Sequence, residues 1–345
     1  MTRLGLLIHP STNRVYADAS VALTRAELAI VGASLLGGRL SDVRTESFGG
    51  VPYVTFAVSD LGERDLDALA NVSTAYAVFA LEGGLLRPLE LRRLDRHDDD
   101  LLSILKYAGK TNETFTKLLL NVALMAASSP ERMLGERLLV LDPMCGRGTT
   151  LNQALMYGYD VAGVDVDRKD FDAYASFLRT WLKAKRLKHE LEVHPVRHAG
   201  HDPARRLEAS FATDKAAFAS GDRQRVDVVN ADTVRSREFF RAGSVDAVVT
   251  DAPYGVQHGS RSAASGLTRG PLDLLRAAVP VWAGLLRPGG TLGIAWNTHV
   301  APRPQVAELL AGAGLEVVEE PPYLLLEHRV DQSIHRDVVV ARRPD

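Results

Sequence analysis

The chain has 345 residues, 46% of them hydrophobic and 24% charged, which is an ordinary globular composition with room for two domains. Its formal net charge of −2 excludes the strongly basic balance of many nucleic-acid-binding proteins, although one basic face offset by acids elsewhere is compatible with RNA. The single cysteine, Cys145, excludes an intrachain disulfide and a cysteine-based zinc site. There is no signal-peptide pattern and no apolar run of about 18 residues, so we expect a cytoplasmic protein that does not span a membrane.

Residues 1–95 alternate between short apolar runs and helical patterns, which is typical of a small ferredoxin-like α+β domain. Strands are predicted at LGLLIHP, RVYADAS, VPYVTFAVS and AYAVFALEG, and the first two are predicted to flank a turn at residues 11–13. Helices are predicted at LTRAELAIVGASL and RDLDALANV. Glu27 would lie in the first turn of the first helix, where the helix dipole favours an acid.

Residues 96–136 are predicted to be a linker and a helix that lead into a second domain. The polar stretch RRLDRHDDD interrupts the apolar pattern, and NETFTKLLLNVALMAAS then places Phe115, Leu118 and Leu119 at helical spacing.

Residues 137–345 have the pattern of an α/β domain. Strands are predicted, mostly with helical stretches between them, at RLLVLDP, DVAGVDV, VDVVNAD, VDAVVTDAP and GTLGIAWN. Runs this apolar suit strands buried on both faces, and therefore a mostly parallel sheet. GLEVVEE and HRDVVVARR indicate a final pair in which one strand is antiparallel. A basic helix is predicted at RTWLKAKRLKHE, after which residues 190–222 lose periodicity and are interpreted as an insertion without an assigned role.

The segment LLVLDPMCGRGTTLNQALMYGYDVAGVDVD is predicted to be a strand, a glycine-bearing turn, a helix and a second strand. Gly146 and Gly148 let the backbone approach a ligand, and the acid Asp165 can bind both hydroxyls of a ribose. The carboxylate of Asp142 suits a ligand with a positive centre, such as the amine and sulfonium of S-adenosylmethionine (SAM), better than it suits a pyrophosphate. A plain βα turn and a nicotinamide or flavin site are the alternatives.

A third acid, Asp232, ends the strand VDVVNAD and is placed to accept a hydrogen bond from the exocyclic amine of adenine; a turn-capping role is the alternative. We interpret Cys145 as a small residue that fills the loop, and not as a nucleophile. The predicted cofactor-binding residues are Asp142, Met144, Cys145, Gly146, Gly148, Thr149, Asp165, Val166, Asp232 and Thr233. No metal site is predicted, since the ten histidines show no metal-ligand spacing.

The stretch TDAPYG carries the predicted catalytic residues at the end of an apolar strand. An amine conjugated to a base ring can accept a methyl group when two acceptors take its N–H bonds and pull the nitrogen toward sp³ geometry. The Asp251 carboxylate and the Ala252 carbonyl would be these acceptors. Pro253 would hold the turn and Tyr254 would stack on the target ring. The structural alternative is an aspartate that caps the turn, a proline that stops the strand and a tyrosine that fills a gap.

Four stretches resemble, in their order along the chain, the motifs of class I, Rossmann-like, SAM-dependent amino-methyltransferases: DPMCGRGTT, GVDVD, NADT and TDAPYG. The acceptor motif of these enzymes is usually (D/N/S)-P-P-(Y/F/W). YAGKTNETFTKLLLNVAL and HRVDQSIHRDVVV are similar to stretches of the THUMP-associated tRNA guanine-N2 methyltransferases, and the resemblance covers roughly residues 104–342. The resemblance implies that SAM is held by Asp142, Gly146, Gly148, Asp165 and Asp232. It also implies that the target amine is held by Asp251, Ala252, Pro253 and Tyr254.

Three features depart from that family. Ala252 stands where the family usually has a proline, which predicts a less rigid turn. The first 95 residues are short for a ferredoxin-like segment plus a full THUMP domain, although LTRAEL is similar to the family's N-terminal helix. We therefore expect the THUMP part to be missing or degenerate. The net charge is mildly acidic for a tRNA-binding protein.

The resemblance implies an N-methyltransferase that acts on an exocyclic amine, with guanine N2 of tRNA or other structured RNA as the favoured substrate and residues 1–95 as a degenerate RNA-binding unit. The alternatives are a small-molecule or peptide amine, an adenine or cytosine of DNA, and a non-catalytic RNA-binding protein with a vestigial cofactor fold. The sequence has two basic clusters, which would either contact phosphates or form solvated surface. The first is Arg179, Lys183, Lys185, Arg186 and Lys188, and the second is Arg87, Arg92, Arg93 and Arg96. The sequence predicts no particular oligomeric state.

Overall fold

A computed structural model describes the chain at residues 1–9, 14–105, 107, 109–197, 204–252 and 270–345. The predicted turn at residues 11–13, together with Pro253 and Tyr254 of the predicted acceptor motif, lies outside these residues. Within the described ranges, no helix is both long enough and apolar enough to cross a membrane.

The N-terminal part of the chain forms an antiparallel sheet with two helices. Its elements are β1 (Thr2–Ile8), α1 (Arg14–Ser34), β2 (Leu40–Phe48), β3 (Val51–Val58), α2 (Glu63–Ala70), β4 (Ala75–Glu82) and β5 (Leu85–Pro88). The strands lie in the order β2-β3-β1-β4-β5, and every neighbouring pair is antiparallel. The βαββαβ succession, with β1 and β3 between β2 and β4, is the predicted ferredoxin-like arrangement, and β5 adds a hairpin strand.

Two predictions for this part are wrong, and one strand was not predicted. RVYADAS is the start of α1 and not a strand, because the alanine-rich sequence that follows continues the helix to Ser34. Glu27 consequently lies in the middle of α1 and not in its first turn. The unpredicted strand, β2, has a polar sequence, and its ladder with β3 is interrupted by a bulge between Ser41 and Arg44 that hides the alternation of a regular strand.

The rest of the chain forms a second, mostly parallel sheet covered by helices. Its elements are α3 (Asp100–Ser103), α4 (Glu113–Met125), β6 (Leu139–Asp142), α5 (Thr149–Met156), β7 (Asp160–Asp165), α6 (Arg168–Ala184), β8 (Lys188–Val196), β9 (Ala204–Ala212), α7 (Lys215–Ser220), β10 (Gln224–Asn230), α8 (Ser236–Phe239), β11 (Val245–Asp251), α9 (Pro271–Ala283), β12 (Leu286–Asn297), α10 (Arg303–Gly312), β13 (Glu316–Val317), β14 (His328–Arg329) and β15 (His335–Arg342).

The strand order of this sheet confirms the predicted Rossmann-like class. The strands lie in the order β13-β15-β12-β11-β6-β7-β10-β9-β8. Pairing is parallel from β12 through β11, β6 and β7 to β10, and β15 is antiparallel to β12, as the last pair of strands predicted. The chain leaves β6 toward β7 on one side and later returns to β11 on the other, so the topological switch point lies between β6 and β11, where ligands of such sheets bind.

The predicted insertion at residues 190–222 is an ordered extension of this sheet in its described parts. Strands β8 and β9 form an antiparallel hairpin, and β9 pairs with β10. The period-two alternation of β8, in which Glu190 and Glu192 alternate with Leu191 and Val193, is the strand signal that the insertion interpretation missed. The preceding basic helix, predicted at RTWLKAKRLKHE, both begins and ends earlier than predicted, because α6 spans Arg168–Ala184.

Helix α4 joins the two sheets through one buried side chain. The Asn121 amide donates hydrogen bonds to Glu27 Oε1 of α1 (2.7 Å) and to the Asn71 carbonyl after α2 (2.8 Å), and its oxygen accepts one from the Tyr157 hydroxyl (2.8 Å). Burial raises the pKa of the Glu27 carboxyl, against the lowering effect of hydrogen bonds from Asn121 and Ser73. The apolar core is also shared, because buried side chains of both sheets pack in one cluster around α4.

We expect Asn121→Ala to lower the free energy of unfolding by about 2–4 kcal/mol, because it removes one partner each from the buried Glu27 carboxyl and the buried Tyr157 hydroxyl. Thr114→Ala, at a partly exposed position of the same helix, is the control and should change stability by less than about 1 kcal/mol. Equilibrium denaturation measures both values. An Asn121→Ala variant as stable as the control would show that this junction does not hold the two sheets together.

Candidate active site

The predicted acids meet at the carboxyl edge of the parallel sheet. Asp142, Asp165 and Asp251 are the last residues of β6, β7 and β11, and Asp232 follows the end of β10 by two residues. Parallel pairing of these strands brings their carboxyl ends to the same edge. Side chains that are distant in the sequence therefore lie at one edge of the sheet, on both sides of the switch point.

The turn between β6 and α5 is shaped by two glycines. Gly146 and Gly148 have φ of +50° and +81°, which side-chain-bearing residues rarely adopt. A Cβ atom on Gly148 would lie 2.3 Å from the ring of the buried Tyr174, so only glycine fits there. A Cβ atom on Gly146 would meet no heavy atom within 4 Å, so this part of the turn borders open space.

Two acids of the cofactor loop have raised pKa values. Burial raises the pKa of the Asp142 carboxyl to about 7, although the Met144 N–H donates a hydrogen bond to it (3.1 Å). Burial also raises the pKa of Asp165, to about 6, against the lowering effect of hydrogen bonds from the Asp167 and Gly146 N–H groups (both 2.7 Å). Both carboxyls are therefore costly to ionise, which favours a ligand that brings positive charge or hydroxyl donors.

The remaining loop residues have structural contacts. Cys145 is buried, its Sγ atom lies against Gly163 of β7, and burial together with the two neighbouring acids raises the pKa of its thiol well above the usual value. A thiol in that state is a poor nucleophile. The Thr149 hydroxyl lies 3.0 Å from the Tyr107 hydroxyl, and Val166 exposes 53% of its surface directly after β7.

Asp232 caps the short turn that follows β10. Its carboxylate accepts a hydrogen bond from the Val234 N–H (3.1 Å), and the hydroxyl of the buried Thr233 accepts one from the Trp282 indole N–H (3.0 Å). The capping role left open by the sequence is therefore present, and an adenine contact by Asp232 remains a prediction.

The hydrogen-bonded pairing of β11 with β12 continues one residue beyond the end of β11. Beyond Asp251, the N–H of the buried Ala252 donates a hydrogen bond to the Ala295 carbonyl of β12 (2.8 Å). A proline here, which the resembled family usually has, could not make this bond because it lacks the N–H. This bond ties Ala252 to β12. The turn that follows lies outside the described residues, so a less rigid turn stays a prediction.

The Asp251 carboxylate itself contacts two residues that the sequence did not mark. Its Oδ2 atom accepts a hydrogen bond from the Thr111 hydroxyl (2.6 Å) and lies 3.5 Å from the Arg336 guanidinium. Thr111 and Arg336 belong to the two stretches that carry the similarity to the tRNA methyltransferases. The similarity of these stretches to the family was the signal that could have drawn attention to Thr111 and Arg336. No spacing rule, however, predicts a contact between side chains so far apart in the sequence.

Four of the nine residues in the predicted basic clusters contact acids or carbonyls: Lys185 of the first cluster, and Arg87, Arg92 and Arg93 of the second. Lys185 Nζ lies 2.7 Å from Asp98 and 2.5 Å from Asp100. Arg87 and Arg92 pair with Glu82 and Glu63, at 2.8 and 2.9 Å, and Arg93 donates to the carbonyls of residues 75 and 76. For the cluster at residues 87–96, these contacts favour solvated surface and linker over a surface that is prepared to bind phosphates.

The strand order is that of the class I, Rossmann-like methyltransferase fold that the motifs predicted, and the four acids lie at its carboxyl edge. Residues 120–285 match the model of the UPF0020 family, described as an RMKL-like methyltransferase domain. The chain is accordingly a methyltransferase with SAM as its cofactor, as its motifs predicted. No curated protein matches the chain.

Solved structures with similar folds share little sequence with this chain. TrmN from Thermus thermophilus is 16% identical over 99% of this chain and 100% of its own, with a TM-score of 0.45. The 16S rRNA N2 G1207 methyltransferase RsmC of T. thermophilus, in complex with AdoMet and guanosine, is 18% identical over 89% of this chain and 59% of its own, with a TM-score of 0.38. The N-methyltransferase NodS from Bradyrhizobium japonicum WM9, in complex with S-adenosyl-L-homocysteine, is 13% identical over 67% of this chain and 86% of its own, with a TM-score of 0.39.

We expect Ala252→Pro to lower the free energy of unfolding by about 1–3 kcal/mol, because proline removes the donor to the Ala295 carbonyl. Ala252→Ser keeps the N–H in a similar volume and is the matched control, with a smaller expected loss. Chemical denaturation of both variants measures the difference. Equal losses, or a more stable Ala252→Pro variant, would show that the Ala252 N–H does not anchor the segment.

Proposed function

We propose that the protein transfers a methyl group from SAM to an exocyclic amine, with guanine N2 of tRNA or other structured RNA as the favoured substrate. The observation that carries this proposal is the position of Asp251 and Ala252 at the same sheet edge as the cofactor loop, across the switch point. We further propose the domain boundaries 1–95, 96–136 and 137–345, and action in the cytoplasm, where tRNA is modified and used.

The residues of the loop fit SAM in their chemistry. Asp142 would hold the amine, Asp165 the ribose hydroxyls and Asp232 the adenine amine. The open space beside Gly146 and the exposed apolar side chain of Val166 give room and a flat apolar contact for the rest of the molecule. When bound, SAM supplies an electrophilic methyl group on a sulfonium centre.

The chain's own residues would prepare the target nitrogen. The Asp251 carboxylate and the Ala252 carbonyl accept its two N–H bonds and direct its lone pair. Positioning supplies most of the rate in a direct displacement, so no covalent enzyme intermediate is needed. Asp251 finally accepts or relays the proton. Pro253 and Tyr254, which lie outside the described residues, keep their predicted roles in the turn and in stacking.

The preference for RNA is supported by the two stretches that are similar to the tRNA methyltransferases, since both reach the acceptor carboxylate through Thr111 and Arg336. A small-molecule amine is the second candidate. It is favoured by the pairing of Arg87, Arg92 and Lys185 with acids, which neutralises part of the positive surface that phosphates would contact.

We expect the affinity for SAM to fall as the pH falls. In the free protein the pKa of Asp142 is about 7, so its carboxyl is mostly ionised above that pH and mostly neutral below it. An ammonium ligand favours the ionised form, and binding at lower pH must displace a proton. The dissociation constant for SAM should therefore rise roughly tenfold between pH 7.5 and pH 6.0. Calorimetry across this range measures it.

Asp142→Asn is the control for this pH dependence. It should bind SAM more weakly at pH 7.5 and lose most of the pH dependence, because the amide does not titrate. A wild-type affinity that is constant between pH 7.5 and pH 6.0 would remove Asp142 from the amine contact.

The substrate is tested by incubating the protein and labelled SAM with total RNA, DNA and small-metabolite fractions. Label is expected in tRNA, and nuclease digestion should release N2-methylguanosine. Label confined to the small-metabolite fraction would overturn the RNA proposal, and no detectable SAM binding would overturn the cofactor residues.

Asp251→Ala should keep the affinity for SAM but slow turnover by roughly a hundredfold or more, because the target amine loses its charged acceptor. Asp273→Ala, which removes an exposed acid of α9, is the matched control and should leave turnover unchanged. Retained activity in Asp251→Ala would exclude Asp251 from the mechanism.

A further inference from the structure

We propose that Thr111 and Arg336 are positioning residues that orient the Asp251 carboxylate toward the target amine. This inference rests on the proposed role of Asp251 as an amine acceptor. Both residues contact the same atom, Oδ2, from two different elements of the fold. Two contacts on one oxygen fix the plane of the carboxylate more firmly than either contact alone.

Thr111 is held in place by the start of α4. The next residue, Asn112, is the N-cap of that helix, and its side chain accepts a hydrogen bond from the Phe115 N–H (3.1 Å). The Thr111 hydroxyl donates to Asp251 Oδ2 at 2.6 Å, which is short for a hydroxyl donor and typical of a charge-assisted bond. A capped helix start therefore fixes the donor relative to the sheet.

Arg336 is held by an aromatic ring and by strand pairing. Its guanidinium lies over the ring of the buried Phe115, with the central carbon 4.1 Å from the ring centroid, and its side chain is only 5% exposed. The backbone of Arg336 is paired with both Asn297 of β12 and His328 of β14. A planar guanidinium stacked on a ring has little freedom to turn away from its carboxylate.

The neighbouring histidine contributes no competing charge. His328 is buried against Phe115, and burial lowers its pKa to about 4, so its imidazole is neutral at physiological pH. The charge that faces Asp251 in this group is that of Arg336. The pair of contacts holds the carboxylate in one orientation, as is required when two acceptors bind the two N–H groups of one amine.

Thr111→Val removes the hydroxyl donor and keeps the side-chain volume. We expect it to lower kcat for tRNA methylation by roughly ten- to a hundredfold, with the KM for tRNA and the affinity for SAM nearly unchanged, because a displaced carboxylate affects the reacting geometry and not binding. Thr111→Ser should recover most of the rate, since it restores the hydroxyl. Arg336→Lys, which keeps the charge but loses the planar stack, should also lower kcat.

The double variant Thr111→Val/Asp251→Asn tests whether Thr111 acts through Asp251. It should be no slower than Asp251→Asn alone, and its unfolding midpoint should fall by less than the sum of the two single shifts. The midpoint comparison needs no substrate, so it remains decisive even if tRNA is not methylated, an outcome that would overturn the proposed function instead. Thr180→Val, at an exposed position of α6, is the matched control and should leave both readouts unchanged.

Additive midpoints in the double variant would overturn the contact between Thr111 and Asp251. A Thr111→Ser variant as slow as Thr111→Val would show that the hydroxyl does not position the carboxylate. A Thr111→Val variant that loses SAM affinity in proportion to kcat would assign Thr111 to the cofactor site and contradict the proposal.

Discussion

Parallel pairing across the switch point is the constraint on which the site depends. The acids at the ends of β6, β7 and β11 lie at one edge only because these strands run in the same direction. This arrangement has an electrostatic cost, because burial at that edge disfavours the ionised carboxylates and raises the pKa values of Asp142 and Asp165. A cationic, hydroxyl-rich cofactor would offset this cost, and the acids that destabilise the free protein would then supply part of the binding energy.

The antiparallel strand completes the same edge from the other end of the chain. Because β15 runs against β12, the first residues of β15 lie where the parallel strands finish. Arg336 thereby reaches Asp251 although 85 residues separate them in the sequence. An additional parallel strand would have brought its last residues to this position. The reversal of one strand therefore determines which part of the chain supplies the cation beside the acceptor.

The sequence predicted the parallel strands, the loop glycines and the edge acids, because each follows from a local pattern: a buried apolar run, a turn, or an acid at the strand end. It failed where local patterns were ambiguous. Alanine-rich RVYADAS suited both a strand and a helix, and the bulge in β2 broke its alternation. The contacts of Thr111, Arg336 and the Ala252 N–H arise from tertiary pairing, which no spacing rule in a single sequence reveals.

The two sheets share one buried core around α4. Asn121 and its apolar neighbours contact both sheets, so the ferredoxin-like part has no separate interior of its own on that side. Heat or denaturant should therefore melt both sheets in a single cooperative transition. For the same reason, the N-terminal part cannot be exchanged between proteins as an independent module, because a transplanted copy would bring only half of the junction that α4 completes.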